Sequence, residues 1–250
     1  MTSLEALARA IDRALPVSGY WRQHIYSYCE RGPSAAFWAE PLNATSNVAF
    51  HLAALAALVL WARQRAENRR IVDLVLIATV FVIGTGSFLF HTLATRWAAV
   101  ADTAPIGLFM VGYLAYAVKR WVGFGWVMTL AALGVFYVAL WQSSVVRCGG
   151  GPCLNGSVAY LPALAALILV GGWLAIRRHP AGTYLVAAGL VFAVSLTFRT
   201  LDRALCPWTI IVASRPWGTH WLWHILNASL LYLLLQAAIL HGARRIGRGR

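Results

Sequence analysis

The sequence predicts an all-α, polytopic integral membrane protein: a bundle of seven transmembrane helices with its amino terminus outside and its carboxyl terminus in the cytoplasm. Three observations carry this reading. Of the 250 residues, 60% are hydrophobic and only 12% charged, about half the charged share usual in a soluble domain. The mean hydropathy is +0.66, and the twelve tryptophans suit a bilayer protein, because indole rings favour the headgroup level. The apolar residues are also gathered into runs that can cross the hydrocarbon, which takes about 20 residues of helix.

In chain order, residues 1–44 read as an amino-terminal surface segment, 45–241 as the transmembrane domain and 242–250 as a basic cytoplasmic tail. Met1 to Pro16 alternates Leu and Ala with Arg9, Asp12 and Arg13. It lacks the unbroken apolar core of a signal peptide and reads as a short amphipathic helix. Seven apolar runs follow, at 45–62, 71–94, 98–118, 124–142, 158–176, 183–200 and 218–241.

The net charge of +13 raises nucleic-acid binding, but the basic residues sit in short clusters between apolar runs: Arg63/Arg65/Arg69/Arg70, Lys119/Arg120 and Arg177/Arg178. That is how membrane proteins mark cytoplasmic loops, so no nucleic-acid partner is expected. The side holding those loops and the carboxyl tail carries 12 Lys and Arg, against 9 on the other; among interhelical loops alone the count is 8 against 5. Twenty of the 21 basic residues are Arg and Ala is abundant, which points to a GC-rich bacterial genome. The expected location is therefore the bacterial inner membrane.

Cys29, Cys148, Cys153 and Cys206 all fall on the side called external, where an oxidising compartment permits disulfides. Flexible glycines between Cys148 and Cys153 let those two meet, and Cys29 with Cys206 ties the amino-terminal segment to the loop before the last run. Two disulfides are expected, with four free thiols or a CxxxxC metal clip as the alternatives.

Ionisable groups inside membrane spans are costly and usually mark a function. In the second run Ser87 and His91 stand four residues apart on one helix face; His220 and His224 repeat that spacing in the last run. Asp102 enters the third run at a similar depth. Three imidazoles and a water form the open tetrahedral site typical of catalytic zinc, and zinc lowers the pKa of such a water toward 7. Asp102 would orient the water and accept its proton, and Ser87 would donate to the water or to a developing oxyanion. The alternatives are a helix-start cap or an Arg96 ion pair for Asp102, and a small residue allowing close helix contact for Ser87.

Cys29-Glu30, then Trp38-Ala39-Glu40-Pro41-Leu42-Asn43-Ala44-Thr45-Ser46-Asn47, Gly86-Ser87-Phe88-Leu89-Phe90-His91 with Asp102 eleven residues on, and His220-Trp221-Leu222-Trp223-His224 together resemble the alkaline ceramidases. These belong to a wider superfamily of seven-helix hydrolases that includes the adiponectin receptors. The resemblance implies a zinc amidase that cleaves the N-acyl bond of ceramide, or of a related N-acyl lipid drawn from the bilayer, to a fatty acid and a sphingoid base. Carried over, His91, His220 and His224 are the zinc ligands, Asp102 and Ser87 contact the zinc-bound water, and Cys29 and Cys206 match the family's disulfide. The site then lies toward the periplasm. Eukaryotic members also bind calcium around the Cys-Glu motif, with an acidic residue two positions before the Cys and an Asn three after. Ser27 and Gly32 stand there. Glu30 and Glu40 remain as the carboxylates of a calcium site weakened by two lost ligands; Glu30 also reads as a partner for Arg31, and Glu40 as a cap or pair at the start of the first run.

Other polar residues have plainer readings. His51 reads as a packing residue, and His24, His179 and His241 as solvated groups at the surface or the membrane ends. Arg199, Asp202 and Arg203 read as a local ion-pair group, and Trp217, Trp221 and Trp223 as an interfacial belt. The competing function classes are a seven-helix lipid-binding receptor or transporter with structural zinc, and a haem-bearing electron carrier using paired histidines.

Overall fold

A computed structural model describes residues 3–149, 151–212 and 215–242. The basic tail expected over 242–250 lies, beyond Gly242, outside the described residues. Among those described, seven helices are long and apolar enough to cross a membrane: Pro41–Ala62, Ile71–Leu93, Arg96–Val122, Trp126–Val145, Cys153–Ile176, Ala181–Leu201 and His220–His241. Each overlaps one of the seven expected runs, with ends shifted by a few residues.

Helix α1 (Ser3–Ala14) precedes them. Leu4, Leu7 and Ile11 form an exposed apolar stripe while Ala8 is buried, the arrangement of a helix lying on a membrane surface. It is tied down where Trp97 Nε1 donates to Asp12 Oδ1 at 2.8 Å.

The first span is two helices, α2 (Pro41–Ser46) and α3 (Val48–Ala62). Pro41 stands at the first position of α2, where its missing N–H costs nothing. Helix α4 (Ile71–Leu93) ends at Ala94, a left-handed residue with φ +50° whose N–H bonds Phe90 O. Thr95 then caps α5 (Arg96–Ala117) by accepting from Ala98 N, so the α4–α5 connection is a tight turn. A wide turn, Val118–Val122, extends α5 to Gly123. Next come α6 (Trp126–Val145), a two-residue hairpin of β1 (Arg147–Cys148) with β2 (Gly151–Pro152), α7 (Leu161–Ile176) and α8 (Ala181–Leu201). A second small hairpin, β3 (Ile210–Val212) with β4 (Arg215–Pro216), leads into α9 (His220–His241).

Helix α9 packs on α8, α3 and α4 and buries Leu234, Leu235, Ala237 and Ala238. Helix α6 turns Val127, Leu130 and Val135 outward, as lipid-facing residues do. Small residues set the close contacts: a Cβ on Gly182 would lie 2.4 Å from Ala175 N, and one on Gly171 2.8 Å from Leu185 Cβ. Such sites let membrane helices approach backbone to backbone.

Three expectations are corrected. His179 is buried, and its Nδ1 accepts from Ala181 N at 3.2 Å; it closes the start of α8 rather than sitting in water. Trp223 is buried against Tyr160 and Phe192, not placed in an interfacial belt. Asp202 pairs with neither Arg199 nor Arg203; backbone N–H groups take its oxygens.

Candidate metal centre

His91 stands in the last turn of α4, and His220 and His224 occupy one face of the first turns of α9. All three are buried, at 0%, 1% and 1% exposure, and their candidate ligand nitrogens lie within 4.8 Å of one another. Each ring is held from behind. His91 Nδ1 lies 2.6 Å from Glu40 Oε2. His224 Nδ1 lies 2.8 Å from Ser46 Oγ, whose own proton goes to Asn43 O at 3.0 Å. Ser46 must then accept, which puts the proton on His224 Nδ1 and frees its Nε2 lone pair. The Glu40 contact does the same for His91. His220 stacks on Tyr28 with ring centroids 3.7 Å apart.

Among the described residues, His91 Nε2 and His220 Nδ1 are buried without a hydrogen-bond partner. Orphaned buried nitrogens are costly, and a metal would satisfy them. Three buried imidazoles whose candidate ligand nitrogens converge are a donor set that catalytic divalent metals take, so these residues fit such an ion.

Ser87 and Asp102 come together because α4 and α5 nearly touch. A Cβ on Gly86 would lie 2.0 Å from Ala101 O, so only glycine allows this approach. The Ser87 hydroxyl and the Asp102 carboxylate are brought to the same part of the molecule by this contact. Arg96 is engaged elsewhere, with Gln23 at 3.0 Å and Tyr20 at 3.4 Å, and Thr95 supplies the helix cap; neither alternative reading of Asp102 applies. Ser87, Asp102 and His224 line the head of an apolar cavity that continues through Ile106, Tyr113 and Ala117. Asp102 to Ala117 is about 22 Å of helix, more than one leaflet of a hydrocarbon core about 30 Å thick.

The outer rim is built from the amino-terminal segment and the α8–α9 connection. Asp202, fully buried, accepts from Cys29 N at 3.0 Å, Thr219 N at 2.8 Å and His220 N at 3.0 Å, so it caps α9 and fixes His220. Gly218, with φ +63°, is required here, because a Cβ would fall 2.2 Å from Asp202 Oδ1. Cys29 and Cys206 form a disulfide beside it, and Cys148 and Cys153 a second. Tyr28 accepts from Arg199 Nη1 at 3.0 Å; burial pushes its phenol well above the usual range, against the opposing Arg199 charge. The Arg199 guanidinium lies 5.1 to 5.9 Å from the rings of Tyr28, Tyr160 and Trp223.

The two carboxylates of the weakened calcium site face N–H donors instead. Glu30 Oε1 and Oε2 accept from Leu42 N and Asn43 N at 2.7 and 2.8 Å, and burial raises its pKa to about 6, with those N–H groups opposing. Burial also pushes Glu40 upward, but His91, Arg31 and Asn43 outweigh it and hold the carboxyl below its usual value. These residues do not fit a calcium ion. His51 lies off the site, with Nε2 3.1 Å from Thr85 Oγ1.

The sequence gives Tyr28, Arg31, Ser46 and Asp202 no role at this site, though each supports it. Ser46 lies within the motif quoted above and inside the first apolar run; nothing marked it as a histidine's partner.

The ceramidase family model matches residues 26–247. The chain belongs to the ceramidase family. A comparison with curated proteins gave no match. Family membership makes the chain a ceramidase-like hydrolase acting on amide bonds, and the matched stretch contains all three histidines, Ser87, Asp102 and both disulfides. The receptor and haem readings lose their footing against it.

Proposed function

We propose that this ceramidase-family chain is a zinc-dependent amidase that cleaves the N-acyl bond of ceramide or a related N-acyl lipid within the membrane. The observation that carries this is the position of the buried histidine cluster beside Ser87 and Asp102 at the head of an apolar cavity. His91, His220 and His224 would hold the ion, which supplies Lewis-acid polarisation of the amide carbonyl and acidifies water.

The chain's own groups do the rest. The cavity takes the acyl chain and excludes bulk water, so the amide is presented at its polar head. Asp102 takes the proton of the attacking water as general base and returns it to the leaving amine nitrogen. Ser87, beside Asp102, donates its single hydroxyl proton to the oxygen on which charge develops. Glu40 and Ser46 hold two rings in the tautomer that leaves Nε2 free.

With the amino terminus outside, the histidines lie near the outer leaflet, on the periplasmic side of a bacterial inner membrane. Substrate would then enter laterally from the bilayer. The test combines metal analysis with turnover in purified protein: one zinc per chain and fatty acid release from a defined N-acyl lipid are expected. Asp102→Asn should abolish release while keeping the metal, and His220→Ala should lose both. Release that survives His220→Ala overturns the mechanism; metal and lipid binding without turnover favours a receptor with structural zinc.

A further inference from the structure

Arg31 is fully buried, with 0% side-chain exposure. Burying a guanidinium is expensive unless its charge and every donor are matched. Here the match is close to complete. Nε donates to Glu40 Oε1, Nη1 to Ser34 O and Ala36 O at 3.0 and 3.1 Å, and Nη2 to His91 O and Thr92 O at 2.8 and 3.4 Å. One carboxylate oxygen and four carbonyl oxygens thus surround one cation. An all-oxygen set drawn from separate segments is what a hard divalent cation takes, but the planar five-donor fork of Arg fills it. Two of those carbonyls belong to the last turn of α4, whose partial negative charge favours a cation.

We propose that the Arg31 guanidinium is the resident cation behind the histidine cluster, standing in place of a bound calcium ion and positioning His91. It acts twice on that residue. Through His91 O it fixes the backbone, and through Glu40 it fixes the ring, since the other Glu40 oxygen lies against His91 Nδ1 and also accepts from Asn43 Nδ2 at 2.9 Å. The shell therefore needs no calcium. The proposal rests on the reading above only in that the histidines hold a metal.

The test uses the full-length purified protein and reads metal binding, not turnover. Calcium titrated calorimetrically into the wild type should give no stoichiometric binding, and zinc affinity, from competition with a chromogenic chelator, should not change with calcium. Arg31→Ala should lose about 10- to 100-fold in zinc affinity, the usual cost of removing a ligand's outer support. Ethylguanidinium, which restores the missing group, should recover part of the loss; a variant weakened merely by misfolding gains nothing from it. If Arg31→Ala does not fold, Arg31→Lys keeps the charge without the fork and should still lose affinity about tenfold. One tightly held calcium per wild-type chain, wild-type zinc affinity in the variants, or no rescue by ethylguanidinium overturns the proposal. A wild type that binds no zinc defeats the reading of the histidines instead, and the calcium titration still decides the role of Arg31.

Discussion

Ser46 Oγ and His224 Nδ1 lie 2.8 Å apart across 178 residues of sequence. The contact joins the first span to the last and sets which nitrogen of His224 faces the cluster. Ser46→Ala should therefore lower zinc affinity by about tenfold or more, read by chelator competition. Unchanged affinity would mean that the tautomer is set elsewhere.

Gly86 fixes the distance between Ser87 and Asp102. In Gly86→Ala the new methyl would collide with Ala101 O, 2.0 Å away, and α4 must move off α5. Overpacking of this kind costs about 1–3 kcal/mol. Thermal unfolding in detergent should report that loss. Fatty acid release should fall further than metal content does, because the histidines sit on α4 and α9 while Asp102 sits on α5.

The spans and the chemistry were legible for different reasons. Long apolar runs and costly polar residues within them stand out against a lipid background, so the seven helices and the residues His91, Asp102, His220 and His224 could be read directly. The supporting shell could not. Ser46 and Asp202 act through single hydrogen bonds to distant backbone or ring atoms, and such partners leave no periodic pattern. Arg31 was masked by its neighbour: adjacent opposite charges suggested a Glu30–Arg31 pair, whereas the chain turn at Gly32, φ +56°, precedes the stretch whose carbonyls close on the guanidinium, and its carboxylate partner is Glu40. Arg199 and Trp223 misled similarly, because local charge and aromatic content said nothing of the cage they form together.

Glu30 gives a pH dependence with a definite sign. Burial raises its folded pKa from 4.5 to about 6, in spite of the Asn43 and Leu42 N–H groups. The stabilisation from its protonated form is fully present below about pH 4.5 and is lost as pH rises through about 6. Wild type should therefore lose thermal stability relative to Glu30→Gln between pH 4.5 and 7. A difference that stays constant across this window would refute the assignment.

The two disulfides should not be equivalent. Cys29–Cys206 closes 177 residues of chain and Cys148–Cys153 only five, and cross-links over longer loops constrain the unfolded chain more. Cys29→Ser with Cys206→Ser should cost about 2–4 kcal/mol and speed zinc loss to a chelator, since Asp202 and His220 lie beside that bond. Removing the second pair should leave zinc retention unchanged.

Ala117 lies at the deep end of the cavity. Ala117→Phe should shorten it, so hydrolysis of long-chain N-acyl lipids should fall relative to short-chain ones. Parallel assays across chain lengths would detect this, and an equal loss at every length would place the acyl chain elsewhere.

The histidine cluster takes one residue from the second span and two from the seventh, while Glu40 and Ser46 come from just before and within the first. No chain that ends before His220 holds all of these. The cluster is complete only once the last helix is in place, so on the proposed reading metal loading would come late in biogenesis. Chains that stall or are clipped before His220 would lack two of the three histidines.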